Sequence, residues 1–184
     1  KSTTSFAIAR DFAKVGRRVL LIDADLRKPT QDQLTGVSNK TGLANLLAQH
    51  ASRAEVTQHT GFAGLDVIPT GPLPMNPAEM LAGAGLHRLL DEAAAEYDLV
   101  VIDAPPVMGL ADAPTMAALV EATVVVVEAN RAHRGQGKAS IRRLRAARAN
   151  ILGGILTKYD VRAMGYGTAG GYGYGYGYGA KGAE

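Results

Sequence analysis

Short uninterrupted apolar runs alternate along this chain with segments whose apolar residues recur at helical spacing, from the first residues to about Leu156. Ile8, Phe12 and Val15 fall at i, i+4 and i+7, which predicts an opening helix with those three side chains turned inward and Gly16 as its stop. The runs Arg18 to Ile22, Leu65 to Ile68, Leu99 to Ile102, Thr123 to Val127 and Ile151 to Leu156 read as strands, the first bounded by Asp23 and the second by Pro69. Between them, Asn76, Pro77 and Glu79 supply a cap, a first-turn proline and a first-turn carboxylate for a helix. Leu86, Leu89, Leu90, Ala93 and Ala94 mark an amphipathic helix, and two more are predicted around Pro114 to Val120 and Gly135 to Ala149. Wholly apolar strands separated by amphipathic helices predict an α/β fold, a parallel sheet with helices on both faces. Ligands of such sheets bind beyond the C-terminal ends of the strands, where Asp23, Asp25 and Asp103 stand.

The pattern stops at about residue 160. Beyond it, Tyr166, Tyr172, Tyr174, Tyr176 and Tyr178, five of the seven tyrosines, sit in a segment that is otherwise almost pure glycine. Ordering glycine costs more backbone entropy than ordering any other residue, and Gly/Tyr alternation offers no face to bury, so the chain divides into a domain over 1–160 and a flexible, disordered tail over 161–184. Accessible phenols at such density are candidate phosphoryl acceptors; on composition alone the same tract reads as a sticky low-complexity segment.

Composition narrows the classes. With 184 residues, 47% hydrophobic, the chain suffices for one domain with a real core, and with no cysteine it has neither disulfides nor thiolate metal sites. Four scattered histidines make no metal-ligand spacing, and no apolar run reaches the ~18 residues of a membrane span, so this stretch is expected to be soluble. It begins at Lys1 rather than Met, which suggests a piece of something longer. The net charge of +3 hides an asymmetry: Arg131, Arg134, Lys138, Arg142, Arg143, Arg145 and Arg148 form a run without an acid, leaving the remainder mildly acidic. That run reads either as a solvated outer helix face, with Ile141 and Leu144 inward, or as a dock for an acidic partner, a phosphorylated tail or a membrane surface. Without aromatic residues among the cations, nucleic-acid binding is not expected.

Lys1, Ser2, Thr3 and Thr4 gain meaning from their position before a helix that feeds the strand ending in Asp23. They read as the end of a P-loop whose glycines and strand lie before residue 1. A lysine there reaches β and γ phosphates, and helix N-terminal amides, Ser2 and Thr3 among them, receive phosphate oxygens. Ser2 offers a hydroxyl to Mg²⁺, and Asp103 holds one of the ion's waters.

Three further stretches complete a resemblance: Leu21 to Pro29 with Asp23, Asp25, Arg27 and Lys28; Thr41-Gly42-Leu43 followed by Ile68 to Glu79; and Tyr97 to Pro106 around Asp103. Together with the tyrosine-rich C-terminus, these resemble the bacterial tyrosine kinases of capsular and exopolysaccharide biosynthesis, a P-loop NTPase fold of the MinD/ParA type, over essentially the whole chain. The resemblance implies an ATP- and Mg²⁺-dependent protein-tyrosine autokinase. Lys1, Ser2 and Thr3 would bind ATP. Ser2, Asp25 and Asp103 would serve the metal. Asp23 would be the base for the tyrosine hydroxyl, making Lys1, Asp23, Asp25 and Asp103 the catalytic set. It implies phosphorylation of the tail in trans within a homo-oligomeric ring. It also implies a membrane-bound polysaccharide co-polymerase or activator, fused or separate, a protein-tyrosine phosphatase as counterpart, and a place on the cytoplasmic side of the inner membrane. Two other classes share the residues: a partitioning or cell-division ATPase switch, and a catalytically silent regulatory module.

Overall fold

Strand β1 (Val19–Asp23) is buried over all five residues, and the rest of the fold follows from what covers its two faces. This is a computed structural model that describes residues 1–109, 111–129, 131 and 134–159. The predicted tail and its five tyrosines lie outside the described residues.

Successive side chains of a strand point to opposite faces. On one face, Val19 and Leu21 of β1 join Leu65 and Val67 of β3 (Leu65–Ile68) under α1 (Ser2–Lys14). On the other, Leu20, Ile22 and Ile68 meet Leu81 of α5 (Pro77–Ala82) together with Leu86, Leu89 and Ala93 of α6 (Ala84–Glu96). The strand predicted around residue 100 is β4 (Leu99–Asp103), parallel to β1 on the side away from β3, with Ile22 opposite Ile102 and Asp23 opposite Asp103. A two-residue strand, β2 (Gln58–His59), pairs antiparallel on the outer edge of β3, so the order is β2-β3-β1-β4. It is too short to leave a periodic signal. So are three helices of four or five residues, α2 (Gln31–Thr35), α3 (Leu43–Leu47) and α4 (Arg53–Val56).

Expectations for two of the helices need correction. The inward face of α1 is not Ile8, Phe12 and Val15: Phe12 is 47% and Val15 73% exposed, while Ala9 and Ala13 are buried. Two alanines one turn apart let the helix backbone approach the sheet closely. Phe6 closes the flank, edge-on to Phe62 with ring centroids 5.6 Å apart. At α5 the predicted start is correct, but Asn76 does not cap it through its side chain, whose amide instead donates to Glu79 Oε2 at 3.4 Å.

After α7 (Asp112–Ala117), strands β5 (Thr123–Glu128) and β6 (Ile151–Thr157), joined through α8 (Arg134–Ala146), form a separate two-stranded parallel sheet. Its apolar residues are not enclosed as the pattern suggested: no residue of β5 is fully buried, and Leu152 and Leu156 are 70% and 54% exposed. Among the described residues each of these strands pairs only with the other. Leu144 of α8 is buried, and it is the helix's main inward anchor.

The loop after β3 is fixed by contacts between backbones. At the start of α3, the N–H groups of Leu43 and Ala44 donate to the carbonyls of Pro69 and Thr70 at 2.7 and 2.9 Å, satisfying two of the donors a helix start leaves open. A side chain at Gly42 would place its Cβ 2.1 Å from Pro69 O. Thr70 reaches onward, its hydroxyl donating to Asp23 O at 3.3 Å, which ties this loop to the strand end that carries the acids.

Candidate active site

Parallel strands end together. The in-register pairing of β1 and β4 brings Asp23 and Asp103 side by side at the C-terminal ends of the two strands, and both are buried. Asp23 is held by the chain that follows it. Its Oδ1 accepts from Asp25 N at 3.2 Å, and its Oδ2 accepts from Thr30 N at 3.0 Å and Gln31 N at 2.9 Å. Burial pushes its pKa up to about 6, and neighbouring Asp103 adds to the rise; the three N–H donors pull the other way without cancelling it. A carboxylate offers about four lone-pair sites, so one remains for a proton or a donor.

Asp25 Oδ1 accepts from Lys28 N at 3.1 Å, and its Oδ2 lies 3.7 Å from Lys1 Nζ. Lys1, Ser2 and Thr3 open α1 and line a cleft of about 380 Å³ shared with Thr30, Gln33 and Leu34. The first turn of α1 has no acidic residue, so its open N–H groups and positive dipole end face this cleft unopposed. The expected residues therefore converge: Lys1, Ser2, Thr3, Asp23, Asp25 and Asp103 occupy one end of one sheet. The tyrosines expected as acceptors lie outside the described residues.

A hard divalent cation takes oxygen ligands, often keeping waters. Ser2 Oγ and Asp103 Oδ1 have no hydrogen-bond partner among the described residues, and Asp25 shares its Oδ2 only with Lys1. Lys1 and the α1 N-terminus are cationic or electropositive. The donor set fits a magnesium–nucleotide pair, with Ser2, Asp25 and Asp103 as the oxygens available to the metal.

Sequence reasoning missed Gln31. It is fully buried, and its side-chain amide donates to Asp103 Oδ2 at 2.9 Å, Ser2 O at 3.0 Å and Ser5 Oγ at 3.2 Å. One side chain thus ties the start of α1 to the end of β4, while its own backbone N–H holds Asp23. Its Oε1 and the neighbouring Thr30 Oγ1 are buried without a hydrogen-bond partner among the described residues. A glutamine between threonine and aspartate at a helix start resembles a surface residue, so nothing in the pattern marked it. The same holds for Asp112, buried at the start of α7, which receives Arg27 Nε on its Oδ2 at 3.1 Å.

A family model described as an AAA domain matches residues 1–150. The chain is 36% identical over 156 residues to the tyrosine-protein kinase YwqD of Bacillus subtilis (strain 168), covering 85% of this chain and 66% of that one. It is 33% identical to CapB of Staphylococcus aureus, with 88% and 71% covered. With the tyrosine-protein kinase etk of Escherichia coli (strain K12) it shares 37% identity over 89% of its own length but 22% of that protein. The kinase domain of Escherichia coli ETK superposes with a TM-score of 0.83 at 37% identity, covering 92% of this chain and 66% of that one. The cell-division ATPase MinD of Pyrococcus furiosus superposes at 0.71 with 23% identity, covering 84% and 65%, a likeness of fold alone. The chain thus spans about two thirds of YwqD and less than a quarter of etk. No helix among the described residues is long and apolar enough to cross a membrane.

Proposed function

This chain belongs to the AAA-domain P-loop proteins and, among them, to the bacterial tyrosine-protein kinases, and on that footing we propose that it transfers the γ-phosphoryl group of ATP to tyrosines of its own C-terminal tail, one copy acting on another. The observation that carries the reading is the convergence of Lys1, Asp23, Asp25 and Asp103 at the ends of two adjacent parallel strands, beside a helix N-terminus. Catalysis there is chiefly positioning and charge stabilisation.

In the reaction the phenolic oxygen bonds to the γ-phosphorus, the bond from that phosphorus to the β–γ bridging oxygen breaks, and ADP leaves with the electron pair. Asp23 takes the phenolic proton. Its raised pKa makes it a better base than an ordinary carboxylate, and the three backbone donors hold it in place. Lys1 compensates charge on the phosphates, and Asp25 keeps Lys1 at the mouth of the cleft. Ser2, Asp25 and Asp103 would hold Mg²⁺, directly or through its waters, and that ion would add compensation of charge on the transferred group.

The two described tyrosines differ from those of the tail. Tyr97 is half-buried, and burial together with its hydrogen bond to Asp66 Oδ2 at 2.8 Å pushes its pKa up to about 12. Such a phenol is tied to its own carboxylate and makes a poor acceptor. Tyr159, 45% exposed, is the nearest described tyrosine to the tail.

The wider reading follows the family. The chain works as a homo-oligomer whose tails enter neighbouring sites, with a membrane-bound polysaccharide co-polymerase segment as activator and a phosphatase as counterpart. On this reading it acts at the cytoplasmic face of the bacterial inner membrane, in capsule or exopolysaccharide synthesis. Intact-mass measurement of the full-length protein before and after incubation with Mg·ATP is the test. Phosphate should appear in several copies on the wild type and drop to a small residue when Tyr166, Tyr172, Tyr174, Tyr176 and Tyr178 are all changed to Phe. Equal phosphate on both chains refutes the tail as acceptor. ATP consumed with phosphate found only in solution assigns the site to an ATPase switch instead.

A further inference from the structure

The site above makes no use of the cations of α8. Lys138, Arg142 and Arg145 recur at i, i+4 and i+7 and so share one helix face, and all three are exposed, as is Arg148 just past the helix end. None of these four has an ion-pair partner among the described residues, whereas Arg10, Arg18, Arg27, Arg53 and Lys158 each lie against a carboxylate. No Asp or Glu occurs anywhere from Ala129 to Tyr159, so no acid on this stretch can neutralise the stripe. Like charges one turn apart each cost a few tenths of a kcal/mol, and Gly135 and Gly137 weaken the first turn further, so the stripe is retained at the helix's own expense.

We propose that the phosphorylated form of this chain's own tail docks along that stripe. The inference rests on the tail being the phosphoryl acceptor and adds where the modified tail goes. Helix α8 runs back between the parallel strands β5 and β6, so its N-terminal end lies at the end of the sheet from which the chain leaves β6 at Thr157. From Tyr159 to Tyr166 the chain reaches up to ~23 Å at about 3.3 Å per residue, against a rise of ~10 Å from Lys138 to Arg145. Spacing also agrees. An extended segment with tyrosine at every second residue, as from Tyr172 to Tyr178, presents phenols on one side every ~6.6 Å, close to the ~6 Å rise from Lys138 to Arg142. Unmodified, those phenols are neutral and the stripe has nothing to pair with. Each phosphate adds roughly −1.5 to −2 and three strong acceptors, which matches exposed Lys and Arg. Docking on α8 withdraws the product tail from the acidic neighbourhood of Asp23, Asp25 and Asp103 and frees that site for the next tail.

A synthetic peptide covering residues 164–180, chemically phosphorylated at Tyr172, Tyr174 and Tyr176, tests the dock without requiring any kinase step. Its binding to the full chain is followed by fluorescence anisotropy at about 50 and 200 mM salt, beside the unphosphorylated peptide. The phosphopeptide should bind at least about tenfold more tightly than the unmodified one. The Lys138→Gln, Arg142→Gln, Arg145→Gln chain should lose about tenfold or more. A control with Arg17→Gln, Lys40→Gln and Arg88→Gln, three exposed cations elsewhere, should stay within about twofold, and circular dichroism confirms that both variants are folded. Equal affinity of the α8 variant and the wild type, or no preference for the phosphopeptide, overturns the proposal. So does α8-dependent binding to vesicles with about 30% phosphatidylglycerol when the phosphopeptide is ignored, since the stripe is then a membrane contact. Absence of tail phosphorylation in the mass experiment, with peptide binding intact, defeats the acceptor assignment and leaves the α8 site standing.

Discussion

At the scale of single residues, Asp23 carries opposed influences, and their balance is measurable. Its folded-state pKa of about 6 lies above the unfolded value near 3.8, so between those values the native chain holds more protons than the unfolded one and stability falls as pH rises. The cost of ionising it in place is about 1–3 kcal/mol, complete by about pH 7. Asp23→Asn removes that titration. Its amide cannot accept from all three backbone donors, but that loss is the same at every pH and cancels in a difference. From pH 4.5 to 7.5, denaturant unfolding should show the variant losing about 1–3 kcal/mol less stability than the wild type, and a pH-independent difference between the two chains would refute the assigned shift. Phosphoryl transfer by the wild type should likewise fall on the acid side of about pH 6 and be lost in Asp23→Asn. The positions of Asp23 and Asp103 were legible in the sequence because each ends an apolar run, at the end of a parallel strand, and Asp25 follows two residues after the first. Gln31 was not, because its role comes from being buried between α1 and β4, a juxtaposition seventy-two residues apart in the chain.

At the scale of elements, the strands read well and the short helices did not. A continuous apolar run needs only a sheet to explain it, so β1, β3, β4, β5 and β6 fall within a residue or so of the expected bounds. Helices of one turn are fixed by contacts from elsewhere: α2 by Asp23, α3 by the carbonyls of Pro69 and Thr70, α4 by the reciprocal pairing of Ser52 and Glu55. The opening helix misled because its largest apolar residues are not its inward ones. Packing at α3 explains why Thr41-Gly42-Leu43 and Pro69-Thr70-Gly71 occur in one chain. A methyl group at Gly42 would meet Pro69 O, Gly71 N at 2.4 Å and Thr70 C at 2.6 Å, all of them backbone atoms that no rotamer change can move. Gly42→Ala should therefore cost at least about 3 kcal/mol in urea unfolding or prevent folding. Gly36, at φ +74 with open space around it, should cost only about 1 kcal/mol on the same change. Similar losses at the two positions would mean that the α3 loop yields more easily than its geometry indicates.

At the scale of the molecule, the two sheets differ in how firmly they are held. β1 is covered on both faces and paired on both edges, while among the described residues β5 and β6 pair only with each other, rest on one buried anchor in α8, and bury none of their valines fully, with Val124 exposed. Native-state hydrogen exchange should resolve this as two cooperative units, with amides of Val125, Val126 and Ile155 opening at least about tenfold faster than those of Leu20, Leu21 and Ile22. Uniform protection across both sheets would contradict it. The fast-opening unit is the one from which the tyrosine segment departs, so the root of that segment rides on the least anchored part of the fold. Whatever covers β5 and β6 therefore steadies the point at which the chain continues past Thr157, and such a contact would announce itself as slower exchange at Val125, Val126 and Ile155 together.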